Sequence, residues 1–179
     1  MRQLKGSVNV MPPPNEVERI ELLTFQLDTE IVAVDAIQVR EILDHTLVTR
    51  VPGAPRFVDG LINVRGQVIP LADLRLRLDL EARPPTQDSR IVVIETELHN
   101  EPIAVGIRAD KVLEVTGLSG DQIDTAPRIG MRWRPDHIRF VGKRGDDLII
   151  VLNVDRILSD ETPHQPHDRA AALADTTLQ

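Results

Sequence analysis

Apolar and polar positions alternate along this chain in short runs broken by turn-forming residues, the period of half-buried β-strands rather than of helices. Leu23, Phe25 and Leu27 alternate with polar neighbours, Asp28-Thr29-Glu30 makes a turn, and Ile31-Val32-Ala33-Val34 returns as a buried strand. Asp35 then reads as a helix N-cap, accepting from the amide of Gln38 and opening a short helix through about Leu43 with Ile37 and Glu41 on one side. Leu47 to Val51 is a third strand, Pro52-Gly53-Ala54-Pro55 a rigid turn, and Phe57-Val58 a single helical turn. A hairpin follows. Leu61, Ile62 and Val64 lead into Arg65-Gly66-Gln67, and Val68, Ile69 and Leu71 lead out, with Gly66 placed where positive φ is required.

A second group repeats the plan. Arg90 to Glu95 forms a strand, the chain turns near His99-Asn100, and Pro102 to Ile107 runs on into Val112-Leu113-Glu114-Val115. The polar stretch Ala82 to Asp88 reads as the crossover between the groups. Glu30-Ile31-Val32-Ala33-Val34 parallels Glu101-Pro102-Ile103-Ala104-Val105, an offset of 71, and Val64-Arg65-Gly66 parallels Lys143-Arg144-Gly145, an offset of 79. Similar offsets imply a duplicated unit. Each half supplies around five strands, and closure into a small barrel removes the sheet edges that invite aggregation. The expected fold is mainly β: two similar five-stranded barrels, of the small SH3-like size, with short helices and a groove between them.

The chain has 179 residues with 41% apolar side chains, enough for one sizeable core or two small ones. Residues 1–19, with Met11-Pro12-Pro13-Pro14, are expected to be a flexible leader and 160–179 a flexible tail. The fold is expected over 20–159, in subdomains of about 31–85 and 90–152 whose terminal segments exchange. There are no cysteines, which removes disulfides and thiolate metal sites and suits the cytosol. No signal peptide or membrane span is expected. A formal net charge of −7, with three Phe, one Trp and no Tyr, lacks the basic and stacking surfaces that nucleic acid requires.

Candidate chemistry is sparse. His45, His99, His137, His164 and His167 show no metal-ligand spacing, and no phosphate loop or nucleophile elbow is present, so neither cofactor nor catalytic residues are expected. Asp121 and Asp124, and Asp146 and Asp147, read as turn formers and solvated charge. Arg65 is different. It sits at a hairpin tip with no folding duty, and a guanidinium there suits a carboxylate on this chain or on another.

This hairpin, read with Val34 to Ile42, resembles the CheW family of chemotaxis coupling proteins. The resemblance runs from about Glu21 to Ser159. It is carried by Leu23-Thr24-Phe25-Gln26-Leu27, the V-x-x-I motif ending at Ile42, Pro55 with Phe57 and Gly60, N-x-R-G at Asn63 to Gly66, I-P-L-x-D-L at Ile69 to Leu74, and Leu148 to Val154. The resemblance implies two five-stranded barrels with a hydrophobic core between them. It also implies a non-catalytic adaptor, cytoplasmic at membrane-associated receptor arrays. Its partners would be the regulatory domain of a chemotaxis histidine kinase, bound barrel against barrel, and the helical tip of a methyl-accepting chemoreceptor, bound in the groove, with ring self-contacts besides. On the motif, Arg65 and Glu41 take the family's assembly roles and pair with each other or with partner charges. Val39 is an apolar contact beside them or a core residue, and Gly60 a backbone necessity or a point where a partner approaches closely. Competing readings are a paralogue serving another receptor-kinase pathway, such as one controlling pili, and a small ligand-binding β protein.

Overall fold

The computed structural model describes residues 19–125 and 133–159; all but the last residue of the expected leader 1–19, and the expected tail 160–179 with His164 and His167, lie outside them. Among the described residues eleven strands form two sheets. In chain order they are β1 (Ile20–Leu27), β2 (Glu30–Asp35), β3 (Val39–Leu43), β4 (Val58–Val64), β5 (Gln67–Ala72), β6 (Arg90–Leu98), β7 (Glu101–Ala109), β8 (Lys111–Leu118), β9 (Ile123–Asp124), β10 (Ile138–Arg144) and β11 (Asp147–Leu152). One helix, α1 (Val154–Ser159), follows β11. Among the described residues no helix is long and apolar enough to cross a membrane.

The first sheet has the order β8-β1-β2-β11-β10-β9 and the second β3-β6-β7-β5-β4. Each borrows a hairpin from the other half of the sequence: β1-β2 lies among β8 to β11, and β6-β7 lies among β3 to β5. The segments 31–85 and 90–152 therefore both feed both sheets. Ala82 to Asp88 does not cross between them, because β5 and β6 belong to the same sheet. The crossings fall at a 3-10 turn (Ala36–Gln38) joining β2 to β3 and at Asp110 between β7 and β8.

Both sheets close by one device. The chain leaving β8 passes through Gly120–Gln122 into β9, which pairs with the far edge strand β10. The chain leaving β3 reaches β4, where Thr49 and Leu61 exchange backbone hydrogen bonds of 2.9 and 2.8 Å. Two residue pairs between β9 and β10 and the one bridge onto β4 cover part of each edge, and the sheets are hereafter barrel one and barrel two. The expected third strand over 47–51 shrinks to this single bridge, since Pro52 and Pro55 deny the segment a ladder.

Alternation sorts the core into three parts. Leu22, Ala33, Leu118, Phe140, Ile149 and Val151 fill barrel one, and Ile62, Val64, Ile69, Leu71, Ile91 and Val93 fill barrel two. The opposite faces of the same strands, among them Leu23, Phe25, Val92 and Ile94, meet between the barrels together with Leu74, Ile107, Val154 and Ile157. The expected inter-barrel core is thus the largest of the three.

The repeat is tighter than the sequence reading. Every cross-strand pair of β10 with β11 repeats one of β4 with β5 at an offset of 80, including the bulge before Gly60 and before Phe140. The amide of Asp73 donates to Phe57 and that of Asn153 to His137, at the same offset. Position 65 is consequently the counterpart of Gly145, not of Arg144.

Candidate functional site

The expected helix from Asp35 to Leu43 is a single 3-10 turn followed by strand β3. Asp35 does cap it, accepting from the amide of Ile37 at 3.3 Å rather than from Gln38. Pairing of Val39, Glu41, Ile42 and Leu43 along β6 wins over the local capping signal, as tertiary context commonly does for so short a segment. Phe57 and Val58 likewise do not make a helical turn of their own: the amide of Val58 donates to Pro55 at 2.9 Å and Val58 opens β4.

A bulge at Arg40 sets the chemistry of β3. On one side of it Val39 lies opposite Ile94, and on the other Glu41 lies opposite Val93. Val39 is half-buried and packs against the inter-barrel core. Glu41 points to the same side as Val93 and lies beneath the tip of the β4-β5 hairpin. There Arg65 Nε donates to both carboxylate oxygens at 3.2 and 3.1 Å. The arginine side chain is 80% exposed and the glutamate 17%. The two residues singled out in the sequence thus meet, with the guanidinium outermost.

The hairpin tip is built for this presentation. Asn63 Oδ1 accepts from the amide of Gly66 at 2.8 Å, which gives the N-x-R-G spacing its mechanical meaning. Arg65 and Gly66 both have positive φ, 51° and 85°, the pattern of a tight two-residue hairpin. Five described non-glycine residues have positive φ; four are Asp, His or Asn, which tolerate it, and Arg65 is the fifth. Around the tip Arg40 reaches Gln67 at 3.1 Å and Glu95 at 3.4 Å, and Ile42 and Val68 are exposed apolar neighbours along the same strands.

Gly60 has a different duty. A Cβ there would stand 2.3 Å from the Thr49 carbonyl oxygen and 2.9 Å from Val48 Cγ1, at a φ of 152°. The backbone that comes close at Gly60 is this chain's own Thr49, where barrel two closes.

Sequence reasoning missed the buried charges. Asp73 and Arg75, in and before the 3-10 turn Leu74–Leu76, are each 4% exposed, and Arg75 also reaches Asp110 at 2.6 Å. Its pKa lies above the ordinary arginine value: the hydrogen bonds to Asp73 raise it most, burial opposes, and the charges of Asp73, Asp110 and Asp59 add to the rise. The Asp-Leu-Arg spacing just after the I-P-L run was the available signal. Among the described residues no group of three or more His, Asp and Glu is placed to hold a metal ion.

A closed two-barrel body presenting a charged hairpin tip is the architecture of a docking module. The model of the CheW-like domain matches residues 21–162. Chemotaxis protein CheW of Klebsiella aerogenes is 29% identical over 158 residues, covering 88% of this chain and 93% of that protein. Chemotaxis protein CheW of Helicobacter pylori is 31% identical over 160 residues, covering 89% and 93%. The crystal structure of the scaffolding protein TtCheW from Thermoanaerobacter tengcongensis superposes with a TM-score of 0.71 at 26% identity, covering 79% of this chain and 94% of that one. The chain belongs to the CheW-like family.

Proposed function

We propose that this chain is a non-catalytic chemotaxis coupling adaptor that links methyl-accepting chemoreceptors to a chemotaxis histidine kinase, working in the cytoplasm at receptor arrays. Family membership supports the coupling role. The observation that carries the choice of surface is Arg65, an exposed guanidinium in a backbone conformation that costs an arginine on the order of 1 kcal/mol. A strained residue held outward over its own carboxylate is kept for what it touches rather than for the fold. Arg65 and Glu41 then meet partner charges, with Ile42 and Val68 supplying the apolar contact around them. The kinase regulatory domain docks on the tip of barrel two, and the receptor's helical tip takes the groove between the barrels.

The test is calorimetry of the full chain with the kinase regulatory domain of the same genome and, separately, with a receptor cytoplasmic fragment. Saturable binding to both is expected, and Arg65→Glu should weaken the kinase complex at least about tenfold, or about 1.4 kcal/mol. Unchanged kinase affinity in a folded Arg65→Glu protein would remove the tip of barrel two from the interface. Binding to neither partner would overturn the adaptor reading.

A further inference from the structure

Several directional contacts cross between the barrels, among them Arg83 to Asp28 at 3.0 Å and Arg77 Nε to the Ile157 carbonyl at 3.1 Å, and two of the places are equivalent under the internal repeat. In one, the chain leaving β5 turns through Asp73 and Arg75. Arg75 donates to Asp73 through Nε at 2.9 Å and Nη2 at 2.7 Å, and through Nη1 to Asp110 at 2.6 Å. Asp110 is where the chain crosses to barrel one. Its second carboxylate oxygen accepts from the amide of Asp28 at 2.7 Å, in the turn of the β1-β2 hairpin, and its own amide donates to Gln26 of β1 at 2.9 Å. In the other, the chain leaving β11 turns through Asn153 into α1. Asp155, eighty positions after Arg75, accepts from the Thr96 hydroxyl and from the amide of Glu97 at 3.4 Å, both on β6 of barrel two. Each barrel therefore sends the segment after its closing hairpin to grip the hairpin exchanged into the other.

We infer that Arg75 with Asp110, and Asp155 with Thr96, are paired bolts that fix the angle of one barrel on the other. The apolar layer between the barrels supplies adhesion, but burial is non-directional and resists separation far better than sliding. Charge-assisted hydrogen bonds have direction, and a buried one that loses its partner leaves a costly uncompensated group. Arg75 is satisfied by Asp73 and Asp110 together, which holds the strand exit, the crossing residue and the neighbouring hairpin in one geometry. That a fixed angle serves signal coupling rests on the adaptor reading; the bolts themselves do not.

The absence of cysteine makes the test direct. Gln67→Cys and Asp147→Cys, exposed and equivalent positions at the tips of barrels two and one, carry spin labels in the full chain, and the distance distribution is read without any partner. Asp110→Asn and Asp155→Ala should each broaden the distribution and expose the amides of Asp28 and Glu97, respectively, to faster hydrogen exchange. Amides inside the two barrels should keep their protection, and the double variant should be broader than either. Asp136→Asn, outside both bolts, should leave the distribution as it is. A folded double variant with the parent distribution would overturn the inference, and if the double variant does not fold, an unchanged distribution in Asp155→Ala alone does so. Loss of kinase binding in a variant with the parent distribution would bear on the adaptor reading, not on the bolts.

Discussion

The β4-β5 hairpin of barrel two and the β10-β11 hairpin of barrel one share every cross-strand pair and the same bulge, yet their tips differ. Both tips carry an arginine over a glutamate of a neighbouring strand: Arg65 over Glu41 of β3, and Arg144 over Glu114 of β8. In barrel one the left-handed turn position is given to Gly145, and Arg144 sits one residue earlier, at the regular end of the strand. In barrel two the arginine itself occupies that position. Arg144 and Glu114 are also comparably open, 43% and 53%, whereas Arg65 is 80% exposed above a glutamate at 17%. The same scaffold therefore has an unstrained way to hold such a pair, and barrel two does not use it. The difference marks the tip of barrel two as the specialised one.

The largest effect should come from barrel closure. Gly60→Ala drives a Cβ into the Thr49 carbonyl, a backbone atom that cannot step aside, and should cost about 4 kcal/mol in urea unfolding. In barrel one the tight glycine is Gly142, whose added Cβ would meet the end of the Leu118 side chain, and Gly142→Ala should cost about 1–2 kcal/mol. Equal costs would mean that the two closures are mechanically alike.

Next in size is the charge reversal. Calorimetry with the kinase regulatory domain should show Arg65→Glu weakening binding about tenfold or more, against less than about threefold for Arg144→Glu. Equal losses would make the two tips one kind of surface. Smaller still is the turn itself. Gly145→Arg should destabilise by about 1 kcal/mol, since nothing lies within 4 Å of an added Cβ and the left-handed backbone is the main penalty. Arg65→Gly should stay within about 0.5 kcal/mol of the parent in stability, relief of strain offsetting the lost surface pair, while still losing affinity.

The smallest effect is one of pH and belongs to barrel one. The Arg134 guanidinium, hydrogen-bonded to Asp136 at 3.0 and 2.8 Å, holds that carboxyl below its ordinary value against an opposing effect of burial. A carboxyl that binds its proton less readily when folded stabilises the fold above its unfolded pKa of about 4, and that contribution fades as the pH falls through the lower folded value. Asp136→Asn should therefore cost under about 1 kcal/mol near neutrality, and the difference from the parent should vanish in acid unfolding below about pH 3.

Much of this was legible in the residues, because alternation and turn chemistry are local. The hairpin around Arg65 and the second group of strands follow from period-two patterns and turn chemistry, whereas the core between the barrels and the meeting of Arg65 with Glu41 rest on the family resemblance. What failed was also local. Asp35 caps one 3-10 turn, and the helix expected to run on to Leu43 is a strand because β6 offers Val39 to Leu43 a ladder. Exchange of the terminal segments is expected from the sequence, but which strands each exchanged hairpin joins cannot be read from pattern, since β1 pairs with β8 across ninety residues and either half alone would satisfy the alternation. The buried charges escaped for a similar reason: Arg75 and its neighbour Asp73 resemble any polar turn pair until the fold brings Asp110 to them from β7's end.

The exchanged hairpins also set a schedule for synthesis. The first hairpin, Glu21 to Asp35, leaves the ribosome long before its partners at 111–152 exist. At roughly 5–20 residues per second that wait is on the order of ten seconds, during which Leu22 and Ala33 have no barrel to enter. β3, β4 and β5 wait as well, for β6 and β7, so barrel two is the first that can close. A nascent chain of this protein spends its early life with two half-built barrels, and assembly is completed from the C-terminal side inward.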